Sequence, residues 1–344
     1  MDSRDISVVL QGALIPSEYA FYKDNIAKIR AVLPNSKIIL STWEGTFISS
    51  ELDVDLVVFS KDPGGLIGIK RCDINKANNI NRQIITTYSG LEKVKTEYVL
   101  KIRTDCYLEH SNFTEYFIRF SKSKDYIIST SFFTIDPTMY EHMPYHISDW
   151  FQFGKTNILL QYWDVPLMTE EDSSWYLSHK YASNSGFFDK EFISKFAVEQ
   201  YIAINYAKKL GYEIPEFHND NRKIVLESYY KFLSERIIIL DLCQAGLVFP
   251  KYLWVYSSVF FSMSCITFTD WYGNYINNMG ISVGKDDPVF SSYLKRKKKK
   301  YILRILINLI EPVSSYWYPS RLRGVLFKLA KRLSKVLKVF KNKV

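Results

Sequence analysis

The stretch Tyr98-Val99-Leu100-Lys101-Ile102-Arg103-Thr104-Asp105 decides the fold. It reads as a buried strand that ends abruptly in charge. In an open α/β sheet, ligands sit just beyond the carboxyl ends of the strands. A carboxylate placed there, Asp105, suits a cation or a sugar hydroxyl, while Arg103 suits phosphate. A polar helix is expected just before this strand, over about residues 78–95. The pairing points to a nucleotide-sugar site.

Outward from this strand the pattern repeats. Residues 6–10 (ISVVL) predict a strand that closes at Gln11-Gly12. Residues 22–33 have helical spacing before Pro34. Residues 37–42 (KIILST) and 55–60 (DLVVFS) are strands ending at Trp43-Glu44-Gly45 and at Lys61-Asp62-Pro63-Gly64-Gly65. Short apolar runs bounded by Gly and Pro, alternating with helices, imply a nucleotide-binding half-sheet. Downstream, a helix is expected near 112–121, a strand at 126–131, and helices over 190–210 and 222–236, with Gly211 as a C-cap. Residues 252–269 carry no formal charge. Their Ser, Thr and Tyr content argues against a lipid-facing span and for a buried pair of strands or a hydrophobic subsite.

The net charge of +9 hides an asymmetry. Residues 295–344 hold 16 of the 45 Lys and Arg against one acid, Glu311, so the remaining body is mildly acidic. Apolar Leu322, Val325, Leu326, Leu329, Leu333, Val336, Leu337 and Phe340 recur at helical spacing with basic residues between them. That predicts an amphipathic basic helix lying on an anionic membrane surface, with the cluster Lys295–Lys300 adding attraction. Cys72, Cys106, Cys243 and Cys265 form no CxxC pair and read as free thiols. The first residues enter a strand with no basic region and apolar core ahead of it, so a cytoplasmic protein is expected, peripheral on the inner face of the cytoplasmic membrane.

Strand ends and helix starts supply the candidate site. Gln11 and Gly12 are placed for a nucleobase or ribose, and Glu44 for a base N–H or a ribose hydroxyl. Asn79 and Arg82 open the helix before the Arg103–Asp105 strand, where backbone N–H groups favour anions. Asp62 reads as turn chemistry, and His218 as structural. Asp149, beside Trp150 and Phe151, reads either as part of an acceptor-sugar platform or as a cap on an aromatic core strand. Glu199 reads either as a general base that deprotonates an acceptor hydroxyl or as a solvated helical residue.

The segments ISVVLQG, LPNSKIILSTWEG, the Asp62-Pro63-Gly64 turn, NNINRQIITTYSGL, YVLKIRTD, DWFQFG and VEQY at 198–201 together resemble the WavE lipopolysaccharide-synthesis family. The resemblance runs over roughly residues 5–210. It implies an α/β fold with a GT-A-like nucleotide-binding mixed sheet flanked by helices, completed by a C-terminal helical basic tail. With the tail read above, three parts are expected: a GT-A-like glycosyltransferase core over 1–220, an extension over 221–294 completing the acceptor side, and the membrane-associating tail over 295–344. The implied activity is transfer from a nucleotide-sugar donor to a glycan or lipid-linked glycan acceptor of lipopolysaccharide or capsule type. By the same resemblance Asp105 is the carboxylate that meets a divalent metal, Mn²⁺ or Mg²⁺, on the donor diphosphate. Arg103-Thr104-Asp105 departs from the usual Asp-x-Asp, which leaves metal dependence open. Glu199 falls where a base for an inverting reaction would lie. A sugar-phosphate nucleotidyltransferase is the first alternative, although Gln11-Gly12-Ala13-Leu14 lacks its Gly-rich loop. The second is a non-enzymatic protein whose tail binds membrane or nucleic acid; the regular apolar face of the tail favours lipid, and no nucleic-acid partner is expected.

Overall fold

The computed structural model describes residues 1–317 apart from 122, 123, 140, 187, 188 and 285. The basic helix expected over 321–341 lies outside the described residues. Apolar runs become strands where sequence pattern places them: β1 Ile6–Gln11, β2 Lys37–Trp43, β3 Leu56–Ser60 and β4 Tyr98–Arg103. They alternate with α1 Tyr19–Val32 and α2 Ile80–Leu91. Then come β5 Tyr107–Leu108, α3 Phe113–Phe120, β6 Ile127–Thr130, β7 Phe151–Lys155, α4 Thr156–Trp163, β8 Ile237–Leu240 and β9 Leu247–Val248.

The main sheet has seven strands in the order β3-β2-β1-β4-β7-β6-β8. Strands β1 to β4 are mutually parallel, β7 runs antiparallel to both β4 and β6, and β8 is parallel to β6. The sheet is therefore mixed, flanked by helices, as the fold class expected. Every residue of β1 is buried, the pattern of a strand covered on both faces. Strand order reverses between β1 and β4, and such a switch point opens a crevice at the carboxyl ends. The register puts Gln11 opposite Arg103 there. Strands β5 and β9 pair separately, antiparallel, and bring the segment after Phe249 toward the same crevice.

Gly12 shapes the floor of the crevice. Its φ is +147°, and an added Cβ would lie 2.7 Å from Thr104 Oγ1. Both strain and overlap forbid a side chain. Gly12→Ala is expected to lower the urea midpoint by an amount equivalent to about 1–3 kcal/mol. An unchanged midpoint would show that this turn is slack.

Several expected elements differ, for traceable reasons. The long helix begins at Val198, not Lys190. Ahead of it, the Ile193 and Lys195 amides donate to Ile69 and Asp172 carbonyls, so this backbone is committed elsewhere. The α2 helix starts late because Asn78 exchanges backbone bonds with Leu66. Residues 252–269 do not form paired strands. Pro250–Ser257 is a 3₁₀ segment and Val259–Ser264 a short helix, whose start is capped by Ser258 Oγ accepting from the Phe261 amide. The sheet takes its last strand, β8, from beyond residue 220, and a helix, Pro288–Trp317, runs through the 294/295 boundary.

That last helix is clamped to the body by charge. Lys300 is buried and its Nζ donates to Asp136 Oδ2 (2.7 Å), Asp270 Oδ2 (2.9 Å) and the Cys265 carbonyl (2.9 Å). Arg296 Nε adds a bond to Asp270 at 2.8 Å. Burial alone would lower the Lys300 pKa, but Asp136 and Asp270 outweigh it and hold the ammonium above its ordinary value. Two members of the expected lipid-facing cluster, Arg296 and Lys300, therefore point inward.

Candidate active site

Strand β4 delivers its charges where it stops. Arg103 Nε and Nη2 donate to Asp105 Oδ1 and Oδ2, both at 2.9 Å, a bidentate fork. Burial works against the guanidinium, yet this pairing raises its pKa above the ordinary arginine value. The Arg103 guanidinium carbon lies 4.8 Å from the Trp150 ring centre and 5.4 Å from that of Phe249. Lys251, from the 3₁₀ segment, reaches in from the far side. Its Nζ donates to Glu18 Oε2 at 3.3 Å and lies 4.0 Å from Asp105 Oδ2. Tyr22 Oη donates to the same Glu18 oxygen at 2.9 Å. The mouth of the crevice thus carries a chain of alternating charge: Arg103, Asp105, Lys251, Glu18.

Gln11 is buried, and its Nε2 donates to Thr86 Oγ1 at 2.9 Å. Thr86 Oγ1 in turn donates to the Arg82 carbonyl at 2.7 Å, which ties α2 to the switch point. The Arg82 side chain is held by Asp62 through two bonds, of 2.8 and 2.7 Å, and by Asn79 Oδ1 at 2.8 Å. Asp62, whose pKa Arg82 lowers, also accepts from the Gly64 amide, so it serves turn and arginine together. Among the described residues Arg82 does not touch Asp105; its guanidinium is spent on Asp62 and Asn79, and only its backbone carbonyl is linked through Thr86 to Gln11. Glu44 is exposed at the end of β2.

Behind the rim lies a second layer. Asp149 is 2% exposed, and neither carboxylate oxygen accepts a hydrogen bond. Its counter-charge is Lys101, fully buried in the middle of β4, with Nζ 3.6 Å from Asp149 Oδ2 and donating to the Asp149 carbonyl. Burial pulls the Lys101 pKa down, and Asp149 opposes this. Trp163 lies over the ammonium, with the ring centre 4.8 Å away. Asp149 thus faces the interior ammonium, with Trp150 beside it turned to Arg103.

Glu199 occupies the first turn of the helix Val198–Lys209, where the helix dipole favours a carboxylate. Its side chain is 20% exposed, with Oε2 3.5 Å from His146 Nε2. His146 Nδ1 lies 2.7 Å from the Phe133 carbonyl, to which it donates, and Nε2 faces Glu199. Phe133 holds a φ of +62°, a left-handed conformation costly for a bulky residue, which aims its carbonyl at the imidazole. Burial raises the Glu199 pKa; His146 and Arg103 lower it in part, while Asp149 adds to the rise. Glu199, Asp149 and Arg103 are therefore electrostatic neighbours. Lys251, Glu18 and His146 carry no signal in the sequence, because each comes from an irregular segment far from β4. His218, as expected, is structural: it is buried between Tyr176 Oη and the Asp189 carbonyl, and burial depresses its pKa to about 4.

The donor set does not suit a protein-held divalent ion. Both Asp105 oxygens are taken by Arg103, with Lys251 beside them. Among the described residues, no three His, Cys, Asp or Glu side chains gather to hold a metal. The four cysteines are free thiols, Cys106 and Cys265 buried, Cys72 and Cys243 exposed. Among the described residues, no helix is long and apolar enough to cross a membrane.

Fold and crevice define an α/β protein with a charged crevice at the switch point of a mixed sheet. Its sequence matches the WavE lipopolysaccharide synthesis family over residues 6–306, and the chain belongs to that family. No curated protein sequence matches it significantly. Solved structures similar to it include mannosyltransferase PcManGT from Pyrobaculum calidifontis in complex with GDP-Man and Mn²⁺ (9% identity, 95% of this chain and 79% of that one, TM-score 0.34). Another is S. aureus TarS 1–349 (12% identity, 86% and 71% covered, TM-score 0.34). A third is bifunctional IspDF from Campylobacter jejuni (14% identity, 51% and 48% covered, TM-score 0.29), of which this chain spans about half the length. At such scores the likeness assigns no residue.

Proposed function

We propose that this protein is an inverting GT-A-type glycosyltransferase, moving a sugar from a nucleotide-sugar donor to a lipopolysaccharide or capsule-type surface glycan. The observation that carries the reading is the placement of Arg103 and Lys251, each held by an acid, at the end of β4, with the Glu199 carboxylate beside His146 as an electrostatic neighbour of Arg103. In this reading the acceptor hydroxyl attacks the anomeric carbon and Glu199 takes its proton. The bond to the diphosphate breaks, and Arg103 and Lys251 meet the negative charge that develops on the leaving group. Asp105 positions Arg103, and Gln11, Gly12 and Glu44 line the nucleoside side. Asn79 and Asp62 hold Arg82 at the start of α2. Asp149 supports the site from beneath through Lys101. The protein works on the cytoplasmic face of the membrane, where its basic C-terminal region meets anionic lipid.

A thermal-shift screen against UDP-, GDP-, CMP- and dTDP-sugars, with Mn²⁺ and with EDTA, tests this. One nucleotide class is expected to raise the melting temperature, with affinities in Mn²⁺ and EDTA agreeing within about twofold, because Arg103 occupies both Asp105 oxygens that a metal would need. Binding that vanishes in EDTA would put a metal on Asp105 in place of Arg103. Release of pyrophosphate from a sugar phosphate and a nucleoside triphosphate would instead establish the nucleotidyltransferase alternative.

A further inference from the structure

The helix Pro288–Trp317 presents a second surface that the transfer reaction does not use. Leu294, Tyr301 and Ile305 recur seven and eleven residues apart, which places them on one helical face. They are 52%, 55% and 42% exposed, and neighbouring Ile302 is 50% exposed. Four large apolar side chains in the open on a single helix are unusual for a solvated face. Basic residues flank them. Lys297, Lys298 and Arg304 are exposed, and among the described residues none of the three is paired with a carboxylate. The same three exposed cations line a cavity of about 710 Å³ and so stand at its mouth, together with Leu294 and Tyr301, while Tyr230, Tyr293 and the buried Lys300 also line it. The two acids inside, Asp136 and Asp270, are already neutralised by Lys300 and Arg296, so the mouth is left positive.

We infer that this face is a docking site for an anionic bilayer: the cavity mouth takes a lipid phosphate headgroup, and Leu294, Tyr301, Ile302 and Ile305 enter the acyl boundary. Charge complementarity and an apolar stripe on one helix are what an interfacial helix requires, and the helix is too polar to cross. Its seat is preset, because Lys300 and Arg296 lock its rotation against the body. The contact thus falls on a face whose orientation the body of the fold fixes. The inference deepens, and rests on, the reading of an enzyme working at the membrane.

Flotation of the full-length chain with phosphatidylcholine vesicles, with and without phosphatidylglycerol, tests it. The wild type should float only with the anionic vesicles. The triple variant Lys297→Glu, Lys298→Glu, Arg304→Glu should lower the bound fraction by about tenfold or more, as three reversed charges near a membrane surface imply. Leu294→Ser, Tyr301→Ser, Ile305→Ser should do the same with the basic residues intact. If either triple variant floats like the wild type, the contact lies elsewhere and the inference falls. It falls equally if inorganic phosphate shifts the melting temperature while vesicles are ignored, or if the wild type retains RNA and not lipid. Transfer to a soluble acceptor, measured alongside, should be unaffected in both variants. Its absence from the wild type would strike the catalytic reading and leave the flotation result standing.

Discussion

Glu199→Gln is expected to lower turnover by about 10²–10⁴-fold, the usual contribution of a positioned general base. Donor affinity and melting temperature should stay near the wild type, because Gln keeps the shape of Glu. The pH profile carries a second, independent signature. Burial first, and then Asp149, raise the Glu199 pKa. The base works deprotonated, so kcat/KM should climb with pH through an acid limb lying above the ordinary carboxylate range. His146 pulls that pKa down in part, and His146→Gln should therefore move the limb further up while leaving turnover at its plateau largely intact. A profile flat across the acid range, or wild-type turnover in Glu199→Gln, would remove Glu199 from the chemistry.

Lys101→Met is expected to destabilise the protein by about 3–5 kcal/mol, the cost of stranding a buried charge. Asp149 would lose its counter-charge, and both of its oxygens already lack hydrogen bonds. Adding Asp149→Leu should restore much of the loss, since a buried ion pair is often replaceable by apolar residues of similar size. Urea unfolding of the two variants distinguishes the outcomes: equal midpoints for Lys101→Met and the wild type would mean that water reaches this pair. The double variant should fold and still transfer poorly, because the Asp149 charge acts on Glu199 and on Arg103.

The contrast between these residues explains what the sequence disclosed. Strands β1 to β4 were legible because apolar runs such as Ile6–Leu10 end at Gly or at charge, and the Arg103–Asp105 ending marked the crevice. Lys101 sits in the same quoted stretch, but its partner lies 48 residues on, across an antiparallel strand whose direction no local pattern sets. His146 is delivered by a loop that turns on Phe133 at positive φ, where sequence gives no glycine to mark the bend. Lysines in a row read as one cluster facing anionic lipid. Helical spacing of Tyr293, Arg296 and Lys300 was the signal that two of the cations share the buried face. Residues 252–269 misled because uncharged, aromatic-rich composition fits strands and short helices equally well.

The Lys300 clamp has a bearing on how the protein is made. Asp136 follows β6, Asp270 lies more than a hundred residues later, and the cation that satisfies both comes later still. During synthesis the two acids emerge from the ribosome well before Lys300 does. Until then that half of the molecule carries two carboxylates whose burial is opposed by their own charge. Closure must await the helix Pro288–Trp317, so a chain released early leaves this half of the fold open, and the last step of folding is set by one of the last lysines to be made.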